Sequence, residues 1–499
     1  MQFLMKFYFF LFHEIKYTQH NAFHFHMLLI YFHLNYKKLI LFTVAFLTLH
    51  QFFVSHAYAY IDPVTGSAVL TLIAGALAAG AMTLKYYWFK IKAKISGDHS
   101  QENEADTVDK SDLGSGFVSE WAELKKINRL SQDERSIVFY AENKASMNHF
   151  QLLIHELTEK MNLQICYVTS VKNDPILSTK NQKILPFYIG DGTARTKFFS
   201  SLKARILVTD MPDLGKFHIK RSEEYPVHYI YLFHSMYSVH SYLRKGAVDN
   251  YDTIFCVGPH QVKEIQEIEK VYDLKEKKLI NYGYGRLDTL LENKRNSQTT
   301  YSDTKDLIII APSYGDDNLL EKCGIELIDM LLKADFRVLV RPHLRTLRDS
   351  TELIDSIKKK FEKNPNFALE TGVIKFDSLN NSLCMISDWS GISLEYAFTF
   401  ERTVIFIDVP KKILNPNWSD IKLEPIEISI RDKIGHIVSP NNLEEILDLI
   451  RSLDKNTQNI GELIKDIREK TVYNIGESAK IGAQYIIQVH NESKNSKNT

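Results

Sequence analysis

The sequence predicts two doubly wound α/β domains that face a cleft, preceded by a hydrophobic amino-terminal region. Short runs of β-branched and aromatic residues alternate with segments of helical periodicity over residues 136–271 and again over residues 307–407. Such alternation is typical of a parallel sheet with helices on both faces. A polar stretch without periodicity, residues 293–306, separates the two series. With 499 residues, 44% of them hydrophobic, the chain can fill both domains and further accessory segments.

The amino-terminal region begins with an apolar run, residues 39–54, which follows two lysines and precedes the small-residue motif Ala57-Tyr58-Ala59. This order of basic, apolar and small residues is typical of a secretory signal peptide. An uncleaved signal anchor is the alternative, and the aromatic, His-rich residues 1–26 leave Met27 as a second candidate start. We assign residues 1–59 to a signal peptide or signal anchor.

A second apolar run, residues 67–84, continues into the aromatic residues 86–89 and is long enough to span a bilayer. Four lysines cluster at the same end, so the positive-inside rule places the following residues in the cytoplasm. We assign residues 60–95 to a transmembrane segment with its basic flank. The soluble domains are therefore expected on the cytoplasmic face of the inner membrane.

Residues 96–134 are predicted to form a polar linker. Acidic residues dominate its first half, and apolar residues are few before Trp121. Such a composition buries too little apolar surface to fold by itself and is typical of a solvated tether. A helical stalk is the alternative.

The two soluble domains are predicted at residues 135–298 and 299–499. Predicted strands of the first domain are residues 136–140, 163–169, 184–188, 205–209, 227–233 and 253–257, and its predicted helices are residues 149–161, 193–202 and 260–271. Predicted strands of the second domain are residues 307–311, 336–340, 383–386 and 403–407, and its predicted helices are residues 319–333 and 351–361, one beginning at Ile392, and two closing helices at residues 443–453 and 460–472.

Charge and cysteine content exclude some functions. Lys and Arg number 61, as do Asp and Glu, so the chain has no global basic field of the kind that binds nucleic acid. The cysteines lie in apolar, strand-like segments without metal-ligand spacing; they are Cys166, Cys256, Cys323 and Cys384. We interpret them as free, buried thiols in a reducing compartment.

The segment 383–398 joins a buried strand to a helix through a polar turn and is the strongest candidate site. The first N–H groups of a helix lack internal partners and the helix dipole adds positive charge there, so this turn is predicted to bind a phosphate. The residues predicted to form the phosphate pocket are Ser390, Gly391, Ile392 and Ser393. An ordinary capped helix is the alternative. Ligands of doubly wound sheets bind at the carboxyl ends of strands, which places this site in the cleft.

Further loops are predicted to meet the turn there. Arg341-Pro342-His343 follows a strand, and a guanidinium beside an imidazole suits a pyrophosphate, since the first binds two oxygens and the second donates to a leaving phosphate. His234 follows a strand of the first domain and is a candidate general base, with a structural histidine as the alternative. The Gly283-Tyr284-Gly285 turn is more typical of close interdomain packing than of a dinucleotide site.

In combination, these motifs resemble the CDP-glycerol glycerophosphotransferases of teichoic-acid synthesis, which have a GT-B fold. The resemblance covers roughly residues 137–406 and rests on the His234 loop and residues 282–288, 310–314, 341–343 and 387–392. Ser235 and Gly391 depart from the family pattern, which usually has a glycine and a serine there. The resemblance implies a GT-B architecture of two Rossmann-like domains and the transfer of glycerol phosphate from CDP-glycerol to an acceptor hydroxyl.

The resemblance also implies roles for single residues. His234 matches the acceptor-side base and His343 the histidine that contacts the pyrophosphate, while Asp388 and Ser390 fall in the donor-binding turn and Glu395 where the family carries an acidic residue near the donor's hydroxyls. We expect no cofactor and no metal, a nucleotide-activated donor as substrate, and an envelope lipid or glycan as acceptor. Alternatives are a GT-B glycosyltransferase or sugar-nucleotide epimerase that uses a UDP-sugar, and a degenerate, non-catalytic membrane module.

Overall fold

The computed structural model describes residues 115–216, 219–297, 306–372 and 376–495. The predicted signal peptide or anchor, residues 1–59, and the predicted transmembrane segment, residues 60–95, lie outside these ranges. In the part of the chain that the structure describes, no helix is both long and apolar enough to cross a membrane.

The first domain is built on a seven-stranded parallel sheet. Its strands are β1 (Ile137–Ala141), β2 (Ile165–Thr169), β3 (Ile184–Tyr188), β4 (Ile206–Thr209), β5 (His228–Leu232), β6 (Thr253–Cys256) and β7 (Lys278–Asn281). The spatial order is β3-β2-β1-β4-β5-β6-β7, so the chain leaves β1 on one side and returns to its other side at β4. Strand β1 is buried on both faces, as its unbroken apolar sequence requires.

The second domain repeats this plan with six parallel strands. They are β8 (Leu307–Ala311), β9 (Arg337–Val340), β10 (Phe367–Leu369), β11 (Cys384–Ser387), β12 (Val404–Ile407) and β13 (Gly435–Val438). The order is β10-β9-β8-β11-β12-β13, and Ile309 of β8 pairs with Leu339 on one side and Met385 on the other. The two predicted doubly wound sheets are therefore confirmed, and in each the strand order reverses beside the first strand.

Helices cover both sheets. Those that precede β8 are α1 (Ser115–Arg129), α2 (Ser146–His155), α3 (Thr193–Ser200), α4 (Val239–Tyr242), α5 (Pro259–Val271) and α6 (Gly285–Asn296). Those that follow β8 are α7 (Ile325–Lys333), α8 (Leu344–Asp349), α9 (Thr351–Phe361), α10 (Phe376–Asn380), α11 (Ile392–Phe400), α12 (Ile426–Ser429), α13 (Arg431–Ile434), α14 (Glu445–Thr471) and α15 (Ser478–Asn495). Single π-helical turns, Glu156–Lys160 and Leu320–Gly324, extend α2 and precede α7.

Three predicted boundaries need correction. The linker predicted at residues 96–134 contains helix α1, which buries Leu124 and Ile127 and contacts β3, because its few apolar residues recur at helical spacing. The two closing helices predicted at residues 443–453 and 460–472 are one helix, α14, since no proline interrupts the polar residues between them.

The third correction concerns the predicted domain division at residue 298, because the last helix returns to the first sheet. Asp288 of α6 accepts hydrogen bonds from the backbone N–H of Gly476 at 2.7 Å and of Ser478 at 3.3 Å. These bonds hold the first turn of α15. Its buried residues Ala483 and Ile486 then pack into the core of the first domain. The chain therefore crosses between the two sheets twice.

The two domains also share a buried core. Leu287 of α6 and Leu394 of α11 are almost fully buried in one continuous apolar cluster, and these two helices contact each other. This packing brings the carboxyl edges of the two sheets to opposite sides of one cleft. All four cysteines are free and buried, as predicted.

Candidate active site between the two sheets

The loops that the sequence predicts to meet in the cleft do meet. A Cβ atom added at Gly391 would lie 3.5 Å from the hydroxyl oxygen of Ser235, the residue after His234. The Tyr284 hydroxyl lies 3.0 Å from the main-chain oxygen of His234 and 2.9 Å from Oε1 of Glu395. The His234 loop of the first domain and the 387–395 segment of the second therefore form one site.

His234 is held as a neutral base. Its Nδ1 lies 3.2 Å from the carbonyl oxygen of Asp210, and because a carbonyl only accepts, Nδ1 carries the hydrogen. Burial lowers the pKa of His234, although this hydrogen bond acts in the opposite direction. At neutral pH the imidazole is therefore uncharged, and its Nε2 carries a free lone pair.

Two groups behind His234 were not foreseen from the sequence. His149 of α2 is 7% exposed, and its ring centroid lies 6.2 Å from that of His234. Burial is the main reason why its pKa lies well below the ordinary value, and the charges of His234 and Arg286 contribute. Burial also raises the pKa of Asp210 to about 7, although Ser146 donates a hydrogen bond to it at 3.0 Å. Burial thus favours the neutral forms of both His149 and Asp210 beside His234.

The donor-binding turn, residues 387–393 and called the donor turn below, makes some hydrogen bonds within itself. Ser393 is buried, and both its backbone N–H and its hydroxyl donate to the carbonyl oxygen of Ser390, at 3.0 and 2.8 Å. Ser390, Gly391 and Ile392 remain partly exposed at the start of α11. The predicted hydroxyl donor at Ser393 is therefore engaged within the turn, whereas Ser390 and the first N–H groups of α11 border the cleft.

Asp388 connects two loops of the site through buried hydrogen bonds. It is fully buried, and its two carboxylate oxygens accept from the backbone N–H of Ser313 at 2.6 Å and of Leu319 at 2.9 Å. Burial raises the pKa of its carboxyl group, while these two bonds stabilise the charged form. Asp388 thus fastens the loop after β8 to the donor turn, and in this structure both of its oxygens are directed at that loop.

His343 caps helix α8 with one nitrogen and leaves the other as a donor. Its Nδ1 accepts from the backbone N–H of Arg345 at 3.1 Å, so in the neutral ring the hydrogen resides on Nε2. Burial lowers the pKa of His343 to about 4, and Lys412, Arg341 and Arg345 lower it further. At neutral pH His343 can therefore donate a hydrogen bond but carries no charge.

Positive charge at this edge comes from the neighbours of His343. The Tyr314 ring lies 4.7 Å from the His343 ring, 4.3 Å from Cζ of Arg345 and 2.9 Å from Nζ of Lys412. We call these four residues the Tyr314 cluster. Arg345 and Lys412 were missed in the sequence, although Lys412 follows a predicted strand, at the edge where ligands are expected.

Glu395 links the two domains. Its Oε2 accepts from Nε of Arg286 at 2.7 Å, and both side chains are largely buried. The Glu395 charge is the main cause of the raised pKa of Arg286, and it also counteracts the burial that lowers the pKa of Arg341. The Gly283-Tyr284-Gly285 turn that delivers Arg286 is thus an interdomain turn, as predicted. Gly283 has φ +106 and faces the Tyr473 carbonyl, so a side chain there would clash.

The cleft lies between two doubly wound sheets. One of its faces carries a helix amino terminus and cations, and the other carries a neutral imidazole. This combination defines a nucleotide-dependent transferase of the GT-B type. The chain belongs to the CDP-glycerol:poly(glycerophosphate) glycerophosphotransferase family, whose profile matches residues 123–478. It is therefore a CDP-glycerol glycerophosphotransferase-like enzyme, as the sequence motifs indicated.

One solved structure shows the same fold, and two further structures are similar over most of the chain. A variant of the wall teichoic acid polymerase TagF superposes with a TM-score of 0.50 at 16% identity, covering 75% of this chain and 94% of that chain. A second TagF structure, soaked with CDPG, gives 0.49 at 14% identity over 76% of this chain and 95% of that one. The UDP-GlcNAc 2-epimerase of Methanocaldococcus jannaschii gives 0.43 at 12% identity over 71% and 99%. No curated protein matches the sequence significantly.

Proposed function

We propose that this protein transfers glycerol phosphate from CDP-glycerol to an acceptor hydroxyl, with release of CMP, during synthesis of a cell-envelope polymer. Family membership supports the reaction type. The observation that carries the mechanism is the pairing of the neutral His234 base with the donor turn, whose Gly391 lies next to Ser235 across the cleft.

The chemical step needs positioning and charge stabilisation more than covalent help. The acceptor oxygen attacks the phosphorus that carries glycerol, a new O–P bond forms, and the bond from that phosphorus to the oxygen of CMP breaks. The acceptor proton passes to Nε2 of His234, and the bonding electrons leave with CMP. His234 suits this role because burial keeps it unprotonated before the reaction.

The second domain would hold the diphosphate. Arg341 contributes a permanent charge, and its Nε is buried without a hydrogen-bond partner among the described residues. His343 contributes one hydrogen bond through Nε2, and the start of α11 contributes backbone N–H groups beside Ser390. Asp388 keeps the loop after β8 in place, and Glu395 is positioned by Tyr284 and Arg286 to meet the glycerol hydroxyls.

We further propose that residues 60–95 anchor the enzyme in the inner membrane with its soluble domains in the cytoplasm. Lysines 85, 90, 92 and 94 support this orientation. A reporter fused after Lys94 should be active only in the cytoplasm. A reporter signal from the other side of the membrane would overturn the proposed orientation.

The reaction is tested with the full-length protein in detergent. CDP-glycerol should raise its melting temperature more than CDP-ribitol, UDP-glucose or UDP-N-acetylglucosamine, because only the matching donor fills both the diphosphate site and the polyol site. Membranes from the source cells supply acceptor, and release of CMP reports turnover. Stabilisation by a UDP-sugar without any effect of CDP-glycerol would favour the glycosyltransferase or epimerase alternative.

A further inference from the structure

The loop after β12 places a lysine in the donor site that no motif of the family resemblance includes. Lys412 follows the carboxyl end of β12 and lies beside Asp388, which follows the neighbouring strand β11. Its Nζ lies 2.9 Å from the centroid of the Tyr314 ring, and its side chain is partly buried. The adjacent Lys411 is exposed. The fold therefore selects one of two consecutive lysines for the cleft.

The Lys412 ammonium group has no carboxylate partner of its own. Within the described residues it makes no ion pair and no hydrogen bond, and the only nearby acid is Asp388, whose two oxygens are already bonded to backbone N–H groups. An ammonium group has three donors, and among the described residues its one polar contact is with the face of the Tyr314 ring. A partly buried cation with open donors at the carboxyl edge of a doubly wound sheet is suited to an anionic ligand.

The groups that surround Lys412 reinforce this assignment. On α8, Arg345 is positively charged and pairs with Asp349 at 3.7 Å, and His343 is neutral. After β8, Tyr314 offers the face of its ring, and after β11, Asp388 is the acid that acts on Lys412. Arg345 and Lys412 thus both place a cationic side chain against the Tyr314 ring. Tyr242 of the first domain faces this cluster, since Tyr314 and Arg345 both influence its pKa, so the cluster borders the cleft that also holds His234.

We propose that Lys412 binds the diphosphate of the nucleotide donor. The inference rests on the proposed function for the identity of the donor, but the contact itself needs only a diphosphate group. Without ligand, Lys412 rests on the Tyr314 ring; with ligand, an ammonium donor meets a phosphate oxygen.

The environment of Lys412 also predicts that it takes up a proton when a phosphate binds. Burial is the main reason why its pKa falls to about 7, Arg345 lowers it further, and Asp388 acts in the opposite direction. A phosphate oxygen favours the charged form, so the pKa rises in the complex. Above pH 7 the free protein holds neutral Lys412, and binding must recruit a proton. A diphosphate diester such as CDP-glycerol keeps its charge over this range, so the pH dependence belongs to the protein.

The test measures dissociation constants of the full-length protein for CDP-glycerol and for inorganic pyrophosphate between pH 6.5 and 9. For Lys412→Met, which keeps the apolar stem on Tyr314, we expect affinity for both probes to fall about tenfold to a hundredfold at pH 7, the range for a hydrogen bond between charged groups. Lys411→Met, the matched control, should bind as the wild type does.

The pH profile distinguishes a ligand contact from a packing role. Wild-type affinity for CDP-glycerol should fall by up to about tenfold per pH unit above 7. Lys412→Arg keeps a permanent charge, so it should bind at pH 7 with near-normal affinity and lose most of this slope. Asp210, which also titrates near neutral pH, is unchanged in all variants and cancels in the comparison.

The outcomes separate this inference from the proposed function. If the wild type bound pyrophosphate but not CDP-glycerol, and Lys412→Met bound pyrophosphate more weakly, CDP-glycerol would be rejected as the donor. The proposed diphosphate contact of Lys412 would stand. Equal affinity of the wild type and Lys412→Met for CDP-glycerol would overturn the inference and leave the proposed reaction standing. The same conclusion would follow if a lower melting temperature of Lys412→Met without ligand explained its loss of affinity. Failure of the wild type to bind either probe would overturn both.

Discussion

The first-domain face of the cleft carries two histidines, His149 and His234, that burial keeps neutral. The second-domain face carries the permanent cations Arg341 and Arg345, with Lys412 beside Tyr314. A base must be uncharged before it accepts a proton, and a diphosphate site must be positively charged before and during the reaction. The fold meets both requirements because the base follows a strand of one sheet and the diphosphate site follows strands of the other. Substitutions on the two faces should therefore differ in how they change turnover and donor affinity.

The largest effect is expected from His234→Ala. Loss of the general base should lower turnover by roughly 10² or more, while affinity for the donor stays near normal, because the proton moves only as the acceptor attacks. CMP release and donor dissociation constants measure the two quantities separately. The exposed His436→Ala is the control. Full activity of His234→Ala would remove the chemical role of the first-domain face.

On the second-domain face, His343→Ala should lower both donor affinity and turnover by about tenfold, since one hydrogen bond to a charged phosphate is lost. This substitution also removes the cap of α8. His343→Asn separates the two roles, because asparagine keeps a capping acceptor but lacks the Nε2 donor. If His343→Asn restored full donor affinity, the histidine would be a helix cap only.

A smaller effect is expected within the donor turn. Ser390→Ala removes one exposed hydroxyl and should cost about 1 kcal/mol of donor affinity, or roughly fivefold. Ser393→Ala is the matched comparison, because its hydroxyl already bonds to the Ser390 carbonyl and it should lose stability rather than affinity. Calorimetric titration and thermal unfolding of both variants check this. Equal affinity losses would show that Ser393 also faces the donor.

The smallest effect concerns the dependence of stability on pH. His149 is neutral in the folded protein but protonates near pH 6.5 when unfolded, so its contribution to the free energy of unfolding is lost as the pH falls below about 6.5. Asp210 acts in the opposite direction, because its raised pKa of about 7 lets the folded state bind a proton first. Between pH 7 and 5.5, His149→Gln should therefore lose less of its melting temperature than the wild type, and Asp210→Asn should lose more. Parallel curves for all three would show that neither group sets the pH response.

Strands such as β8 could be predicted because burial on both faces of a sheet leaves an unbroken apolar run, and the predicted boundaries 307–311 agree with β8. The predicted boundaries 184–188 also agree with β3, an edge strand whose residues are mostly apolar. The edge strands β7, β10 and β13 were missed because each has only three or four residues and is at least partly exposed, so no long apolar run marks it.

The residues of the site also divide into those that the sequence predicts and those that it does not. His234, Arg341 and His343 follow predicted strands, so their arrival at the cleft follows from the sheet. The importance of His149 and Lys412 depends on neighbours distant in sequence, His234 and Tyr314, and no spacing rule reports it. Donor roles for Glu395 and Asp388 came from the family resemblance; the structure adds that Glu395 bridges the domains and that Asp388 fastens a loop.

The return of helix α15 to the first sheet has a consequence for biosynthesis. Ala483, Ile486 and Val489 complete the apolar core around Phe150 and Phe255, so the first domain cannot finish folding when its own sheet has left the ribosome. About 200 further residues must be made, which takes on the order of 10–40 s at typical elongation rates. We expect the face of the sheet that α15 covers to stay exposed during that interval, so released chains truncated before α15 should be digested by protease in the first domain, whereas the full-length protein should resist.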